Sequence, residues 1–469
     1  MTLAGRRREL IERLESRGSY PNWVLFAALA GMFATNFPVT ILTVSLRVIA
    51  VEMETSETTI AWVISAPILL SAVALPLLGK AGDLRGHRRV FLIGSVAAVV
   101  TAFMTVFAWN AASLIAMRVV AAVLGAATQP SSMAIIFREF PPVRRSRAMG
   151  WWSMVGAASP ALGLVAGGPM VDALGWRAVF AVQGLMGIPA LVLAWFVLRE
   201  TEARRVRFDV AGSASLALSM AGLMFALSRM RDAGAATPEV WAAGLAGLVI
   251  LGVFLRVERT AHEPLLPLEF FRRRNFTAPI LANGFMSAAY MGAFVLSPIV
   301  LLEVFGLSIT AAALIMVLRT ATLTVASLAG GYLGDRIGER AGSVLGVTIM
   351  TVALVILALG ILNESLFAFA TGLVLQGLGN GIALPPLTSA VASAVPQKDL
   401  GIASAASRLL WSVGTAFGIT LFTVLHGGGD TLPAFARAFW AGVGISALAI
   451  PAAMAMRRNR SSFDYPDAG

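Results

Sequence analysis

GKAGDLRGHRR, residues Gly79 to Arg89, comes back later in the chain as GYLGDRIGER, residues Gly331 to Arg340. Each copy has a glycine, an aspartate four residues on, a second glycine and then basic residues. The stretches downstream of the two copies are related too. LGAATQPSS (Leu124 to Ser132) lies beyond the first and LGNGIALPPLTS (Leu378 to Ser389) beyond the second. The spacing from Asp83 to Pro130 is similar to that from Asp335 to Pro385. The chain is therefore built from two related halves.

The residues around both copies are apolar. The 469 residues are 58% hydrophobic and 13% charged, with a mean hydropathy of +0.80; a soluble domain is about 25% charged. So much apolar surface needs a bilayer as its solvent. Apolar runs fall at roughly 22–48, 57–78, 90–108, 112–137, 149–170, 176–198, 210–228, 239–255, 277–302, 308–332, 343–361, 366–393, 402–424 and 435–456. A membrane-crossing helix takes ~20 residues. The fold class expected is an all-α membrane protein with fourteen transmembrane helices, in which helices two to four correspond to helices ten to twelve. Two six-helix halves, 22–200 and 261–456, then bracket a two-helix insertion, 201–260. A basic N-terminal segment, 1–21, and a tail, 457–469, complete the organisation. Repeat-built bundles of this kind are a transporter design, in which rocking of the halves gives alternating access.

Charge orients the helices. The chain has 36 basic and 25 acidic residues, a net +11. Such an excess first suggests nucleic acid, but the basic residues lie between apolar runs and form no basic domain. With a cytoplasmic N-terminus, 28 of the 36 fall on the cytoplasmic side. Arg47, Arg177, Arg229, Arg231 and Arg437 fall on the other. This satisfies the positive-inside rule and requires an even number of crossings with both termini inside. Trp23, Trp109, Trp176, Trp241 and Trp440 sit at run ends, as interfacial anchors do. There is no cysteine and only three scattered histidines, His87, His262 and His426, so neither a metal site nor a cofactor is expected. No short apolar core with a small-residue cleavage site opens the chain, so the first run is expected to stay as a membrane helix. The basic residues are almost all arginine, Lys80 and Lys398 being the exceptions, which points to a GC-rich bacterial genome and hence to a cytoplasmic (inner) membrane. The partners expected are the lipid bilayer and a small-molecule substrate, with no nucleic acid, for a monomer.

The repeated element resembles the signature loop of the major facilitator superfamily. Gly79, Asp83, Gly86, Arg88 and Arg89 carry the match, with Leu84 and His87 at positions often basic in the family. More of the chain resembles that superfamily's fourteen-helix drug:proton antiporter branch. The matching stretches are Trp62 with APILL (Ala66 to Leu70), WRAVF (Trp176 to Phe180), FDVAG (Phe208 to Gly212), EPLLPLEFFRRRNF (Glu263 to Phe276) and PQKDLGIASAASRLLWSVGTAFG (Pro396 to Gly418). The resemblance implies a secondary transporter of the cytoplasmic membrane. It would export amphipathic small molecules or drugs in exchange for protons, with the proton gradient as its energy source. Three departures bear on mechanism. Pro38 stands where the branch has an aspartate in its first helix. Ala121 and Ala122 replace a Gln-Gly pair after the helix-four arginine, Arg118. Leu164 replaces a proline in the helix-five motif, which keeps Gly163, Gly167 and Gly168.

Candidate functional residues fall into two groups. Asp83, with Arg85, Arg88 and Arg89 beyond it, can pair with arginines or with the positive N-terminal end of a neighbouring helix. If that partner moves, the pair latches one conformation; Asp335, Arg336, Gly338 and Arg340 would do the same in the second half. The other group is intramembrane. Arg118, Arg319 and Arg408 fall inside apolar runs, where a charge costs about 2.5–3.5 kcal/mol. None of the 25 acidic residues lies deep in a run; Glu303 is the nearest protonatable candidate. Gln129, Asn283, Tyr290, Gln376, Asn380 and Trp411 are candidates to line a substrate cavity, although helix packing alone explains each singly. An excess of buried arginine favours neutral or anionic substrates. This keeps open a carrier of organic anions or lipid-like molecules using Arg118 and Arg319. A non-transporting membrane sensor or scaffold is the rival from another class, and the duplicated latch argues against it.

Overall fold

The computed structural model of the chain describes residues 3–37, 41–60, 62–201, 210–233, 237–260, 268–426 and 432–457. Among them every regular element is a helix. In chain order these are α1 (Leu3–Ser16), α2 (Tyr20–Asn36), α3 (Ile41–Glu52), α4 (Glu57–Ile60), α5 (Trp62–Arg85), α6 (His87–Val106), α7 (Ala111–Gly125), α8 (Thr128–Glu139), α9 (Pro142–Leu174), α10 (Trp176–Val197), α11 (Val210–Ala233), α12 (Pro238–Thr260), α13 (Leu268–Phe271), α14 (Arg274–Glu303), α15 (Ile309–Ile337), α16 (Glu339–Leu362), α17 (Leu366–Ser393), α18 (Leu400–His426) and α19 (Leu432–Met454). A 3-10 turn, Gln397–Asp399, leads into α18.

Among the described residues, ten stretches are long and apolar enough to cross a membrane: α6, the α7–α8 pair taken together, α10, α12 and α14 to α19, with α13 set aside as too short. The intervals expected for the first, second, fifth and seventh crossings hold α2 with α3, α5, α9 and α11. Pro38 and its two following residues, between α2 and α3, lie outside the described residues. Polar side chains set several helix starts. The Asn110 carboxamide accepts from Ser113 N at 2.8 Å while the Ser113 hydroxyl accepts from Asn110 N at 3.1 Å, a capping box. Ser308 and Ser365 cap α15 and α17 in the same sense.

The chain packs as two compact units. The first comprises Met1–Glu139, Val155–Leu268 and Gln397–Leu409; the second comprises Phe140–Met154, Glu269–Pro396 and Leu410–Gly469. α9 therefore begins in the second unit and continues in the first, and α18 does the reverse. The start of each helix is packed with the half of the sequence to which it does not belong.

In the first unit, Phe91 is fully buried beneath Gly31, where an added Cβ would meet the ring at 2.7 Å. The indole of Trp176 donates to Glu52 at 2.7 Å and ties α10 to the end of α3. The pair α11–α12 meets closely at Gly222 and Gly247, and the Ser219 hydroxyl donates to the Gly247 carbonyl at 2.9 Å. Leu245, Leu248, Val249 and Val253 of α12 are exposed, an apolar face suited to lipid. The core of the second unit lies among α14, α16, α17, α18 and α19, around Phe369, Phe422, Phe435 and Phe439. There Gly379 lets α17 approach the Gly346 carbonyl of α16, which a Cβ would meet at 2.8 Å. Lipid gives no hydrophobic force between helices, so such small-residue contacts carry the packing.

Candidate functional site

The first copy of the repeated element turns α5 into α6 at Gly86, whose φ of 93° is left-handed. Glu200 and Thr201 press against the position a Cβ would occupy, so glycine is needed there for conformation and for space. Three residues earlier, the Asp83 carboxylate accepts from Gly401 N at 3.0 Å and from Ile402 N at 2.9 Å. These are the second and third residues of α18, whose amides have no partner within their own helix. The His87 Nε2 lies 3.0 Å from Asp83 Oδ1 and donates to it. Asp83 and His87 are both buried, and each charge-assisted hydrogen bond is worth roughly 1.5–3 kcal/mol. Glycines bring the helices this close: a Cβ on Gly79 would stand 2.7 Å from the Gly401 carbonyl, and one on Gly401 2.6 Å from Asp83 Oδ1. The sequence offered two kinds of partner for Asp83, arginines or a helix end. The structure supplies the helix end. Arg88 instead donates to the Trp195 carbonyl at 2.9 Å, Arg89 faces Glu200 at 3.4 Å, and Arg85 is exposed.

The second copy turns α15 into α16 at Gly338, φ 92°, with nothing near its would-be Cβ. Asp335 faces the start of α9, where Gly331 and Gly150 bring the helices together. Its contacts are longer. Asp335 Oδ1 accepts from Arg147 N at 3.3 Å, and Oδ2 lies 3.5 Å from Arg147 Nε. Arg147 is the sixth residue of α9, past the turn that leaves amides free, and its guanidinium also lies over the Tyr332 ring at 4.4 Å. Arg336 and Arg340 are exposed and take no part. Glu339, which replaces His87 in the alignment of the two copies, turns instead toward α17 and accepts from the Ser389 and Ser393 hydroxyls, the latter at 3.3 Å.

Of the intramembrane arginines, Arg319 is the most enclosed, with no exposed surface. Its Nε donates to Gln376 Oε1 at 2.7 Å and its Nη2 to the Tyr290 carbonyl at 3.3 Å. The guanidinium carbon lies 3.9 Å from the Tyr290 ring centre and 4.6 Å from that of Phe294. Trp411 packs on Tyr290 at 6.4 Å, and its carbonyl accepts from the Ser287 hydroxyl. Arg319, Gln376, Tyr290 and Trp411 thus gather in the second unit. Asn283 and Asn380 are buried on the faces of α14 and α17 that carry Tyr290 and Gln376. Arg118, in the first unit, is buried against Phe180 at 5.1 Å. Arg408 is partly buried in the third turn of α18, and Gln129 is partly buried in α8. Gly163, Gly167 and Gly168 lie along α9. Glu303 is the last residue of α14 and is exposed. Among the described acidic residues Asp83, Glu258 and Asp399 are buried, and Asp335 and Glu339 are half-buried.

Sequence reasoning missed His87, Glu339 and Arg147 as members of these clusters. The signal for His87 was its spacing of four from Asp83. The signal for Glu339 was its register with His87 in the repeat.

Long apolar helices in two units, each unit holding one copy of a glycine–aspartate element against the start of a helix from the other sequence half, define a repeat-built membrane transporter. The family model described as Major Facilitator Superfamily matches residues 24–320 and 280–466, and the chain belongs to that superfamily. The multidrug transporter protein MdtP of Bacillus subtilis (strain 168) is 28% identical over 366 residues, 77% of this chain and 67% of the relative. The tetracenomycin C resistance and export protein of Streptomyces glaucescens is 27% identical over 413 residues, 87% of this chain and 77% of the relative. Among solved structures, the proton:xylose symporter XylE bound to 6-bromo-6-deoxy-D-glucose superposes with a TM-score of 0.68 at 12% identity, covering 92% of this chain and 95% of that one. The human organic anion transporter MFSD10 gives 0.66 at 16% identity, covering 92% and 98%. At these identities the structural likeness is one of fold.

Proposed function

We propose that the chain exports amphipathic small molecules across the cytoplasmic membrane in exchange for protons, by alternating access, with fourteen crossings and both termini cytoplasmic. The observation that carries this reading is the duplicated aspartate element, each copy seated on the start of a helix drawn from the other sequence half. Contacts of that kind form and break as a transporter changes state. The names of the bacterial relatives, a multidrug transporter and an antibiotic export protein, support the substrate class.

With Pro38 at the position of the branch's first-helix aspartate and Glu303 exposed, the proton falls to Glu339. Glu339 is enclosed by two serine hydroxyls and feels the charge of Asp335, so its protonation changes the balance of charge in the second latch. The test is uptake by the purified protein in proteoliposomes under an imposed pH gradient, with cationic, neutral and anionic dyes compared. Accumulation of at least one dye that collapses with an uncoupler is expected. Uptake indifferent to the gradient for every dye would overturn proton exchange.

A further inference from the structure

Arg319 is a buried cation held only by neutral groups. Guanidinium stays charged in proteins and offers five N–H donors. Two nitrogens are used, by Gln376 Oε1 and by the Tyr290 carbonyl. The third, Nη1, has no hydrogen-bond partner in the protein, and among the described residues no carboxylate forms an ion pair with Arg319. The neighbouring amide is in the same condition. An arginine has no acceptor, so the Gln376 oxygen must face it. This turns the Gln376 Nε2 donor elsewhere, and it too is buried and unpartnered. One turn along α17, Asn380 is buried with its side-chain oxygen unpartnered. The rings of Tyr290 and Phe294 cover the guanidinium, and Trp411 extends the aromatic wall.

A purely structural arginine between α14, α15 and α17 would be expected to spend its donors on the protein. Here two donors from side chains in direct contact, one of them charged, are left over beside aromatic walls. We propose that Arg319 Nη1 and Gln376 Nε2 form a subsite for the acidic end of the transported molecule, a carboxylate or ionised phenol carried on a flat aromatic body. The body lies along Tyr290, Phe294 and Trp411, and the acid completes the guanidinium's hydrogen bonding. A cation of the same shape is repelled. This inference rests on the export reading and names its substrate class.

Three xanthene dyes of one shape separate the cases: fluorescein, an anion; its methyl ester, with the carboxylate blocked; and rhodamine 123, a cation. Binding to the full-length protein in detergent is read by fluorescence anisotropy, and uptake is read in proteoliposomes. Fluorescein is expected to bind at least about tenfold more tightly than rhodamine 123, with the ester between them. Arg319→Gln should weaken fluorescein by about tenfold or more and leave rhodamine 123 unchanged or improved. Gln376→Glu, which keeps the arginine but gives it a carboxylate of the protein's own, should shift the preference in the same direction. It also serves as the test if Arg319→Gln does not fold. Rhodamine 123 binding as tightly as fluorescein, no fluorescein binding, or an unchanged preference in folded variants would each overturn the subsite. Fluorescein binding that depends on Arg319 without any uptake would uphold the subsite and remove the export reading. Gradient-driven uptake of rhodamine 123 with fluorescein excluded would do the opposite.

Discussion

The two copies of the repeated element share their glycines and their aspartate, yet the aspartates are held differently. Asp83 takes two amides from the first turn of α18 at 3.0 and 2.9 Å and a histidine at 3.0 Å. Asp335 meets Arg147 at 3.3 and 3.5 Å and also accepts from the Ser146 backbone amide, and the Arg147 side chain is 44% exposed. A helix start presents amides with no other use; the sixth residue of α9 lies past the turn whose amides lack a partner in their own helix. One substitution accompanies the difference. His87 of the first copy donates to its aspartate, whereas Glu339 of the second cannot do so as a carboxylate, and it turns to two serines. The first copy is a firm capped joint. The second is a loose one with two acids in it, which is where a proton can change the balance.

Removing each aspartate should expose this inequality most sharply. Asp83→Ala leaves two helix-start amides and a histidine nitrogen without an acceptor and is expected to cost about 3–5 kcal/mol. Asp335→Ala loses longer contacts to the start of α9, one of them an ion pair with a partly exposed arginine, and should cost less, about 1–2 kcal/mol. Thermal unfolding of the two variants in the same detergent measures both. Equal losses would mean that the distances do not report strength.

The glycines make a smaller contrast. Gly86 and Gly338 have nearly the same left-handed φ, 93° and 92°, so alanine at either is strained by about 1–3 kcal/mol. At Gly338 there is open space and the strain is the whole cost. At Gly86 the new Cβ also collides with Glu200. Gly86→Ala should therefore be the more damaging of the two, and a reversal of that order would show that the first turn yields more easily than its packing implies.

Much of this architecture is legible in the amino-acid order. Gly79 to Arg89 and Gly331 to Arg340 announce the two halves, and the long apolar runs announce the helices. That Asp83 would meet a helix end was one of two readings open to it. Which end it meets was hidden, because Gly401 lies more than three hundred residues away and its only local mark is a glycine just inside a helix start. His87 looked like a departure from a basic pattern, and its role depends on α6 starting one residue after Gly86 so that the ring turns back onto Asp83. Glu303 drew attention as the acid nearest an apolar run. Its place at the last residue of α14 leaves it exposed, whereas Glu339, an acid that hydropathy had assigned to a loop, is half-buried and held by two serines. Arg319 was marked by its depth in an apolar run, but only the fold shows that its neighbours are neutral.

The most direct test of the account replaces Glu339 by glutamine, which keeps an acceptor for Ser389 and Ser393 but cannot bind and release a proton at that position. Dye uptake by this variant in proteoliposomes should no longer respond to an imposed pH gradient, while exchange of dye between the two sides without a gradient stays within about threefold of the unmodified protein. Gradient-driven accumulation by Glu339→Gln equal to that of the unmodified protein would contradict the assignment of proton coupling to the second copy.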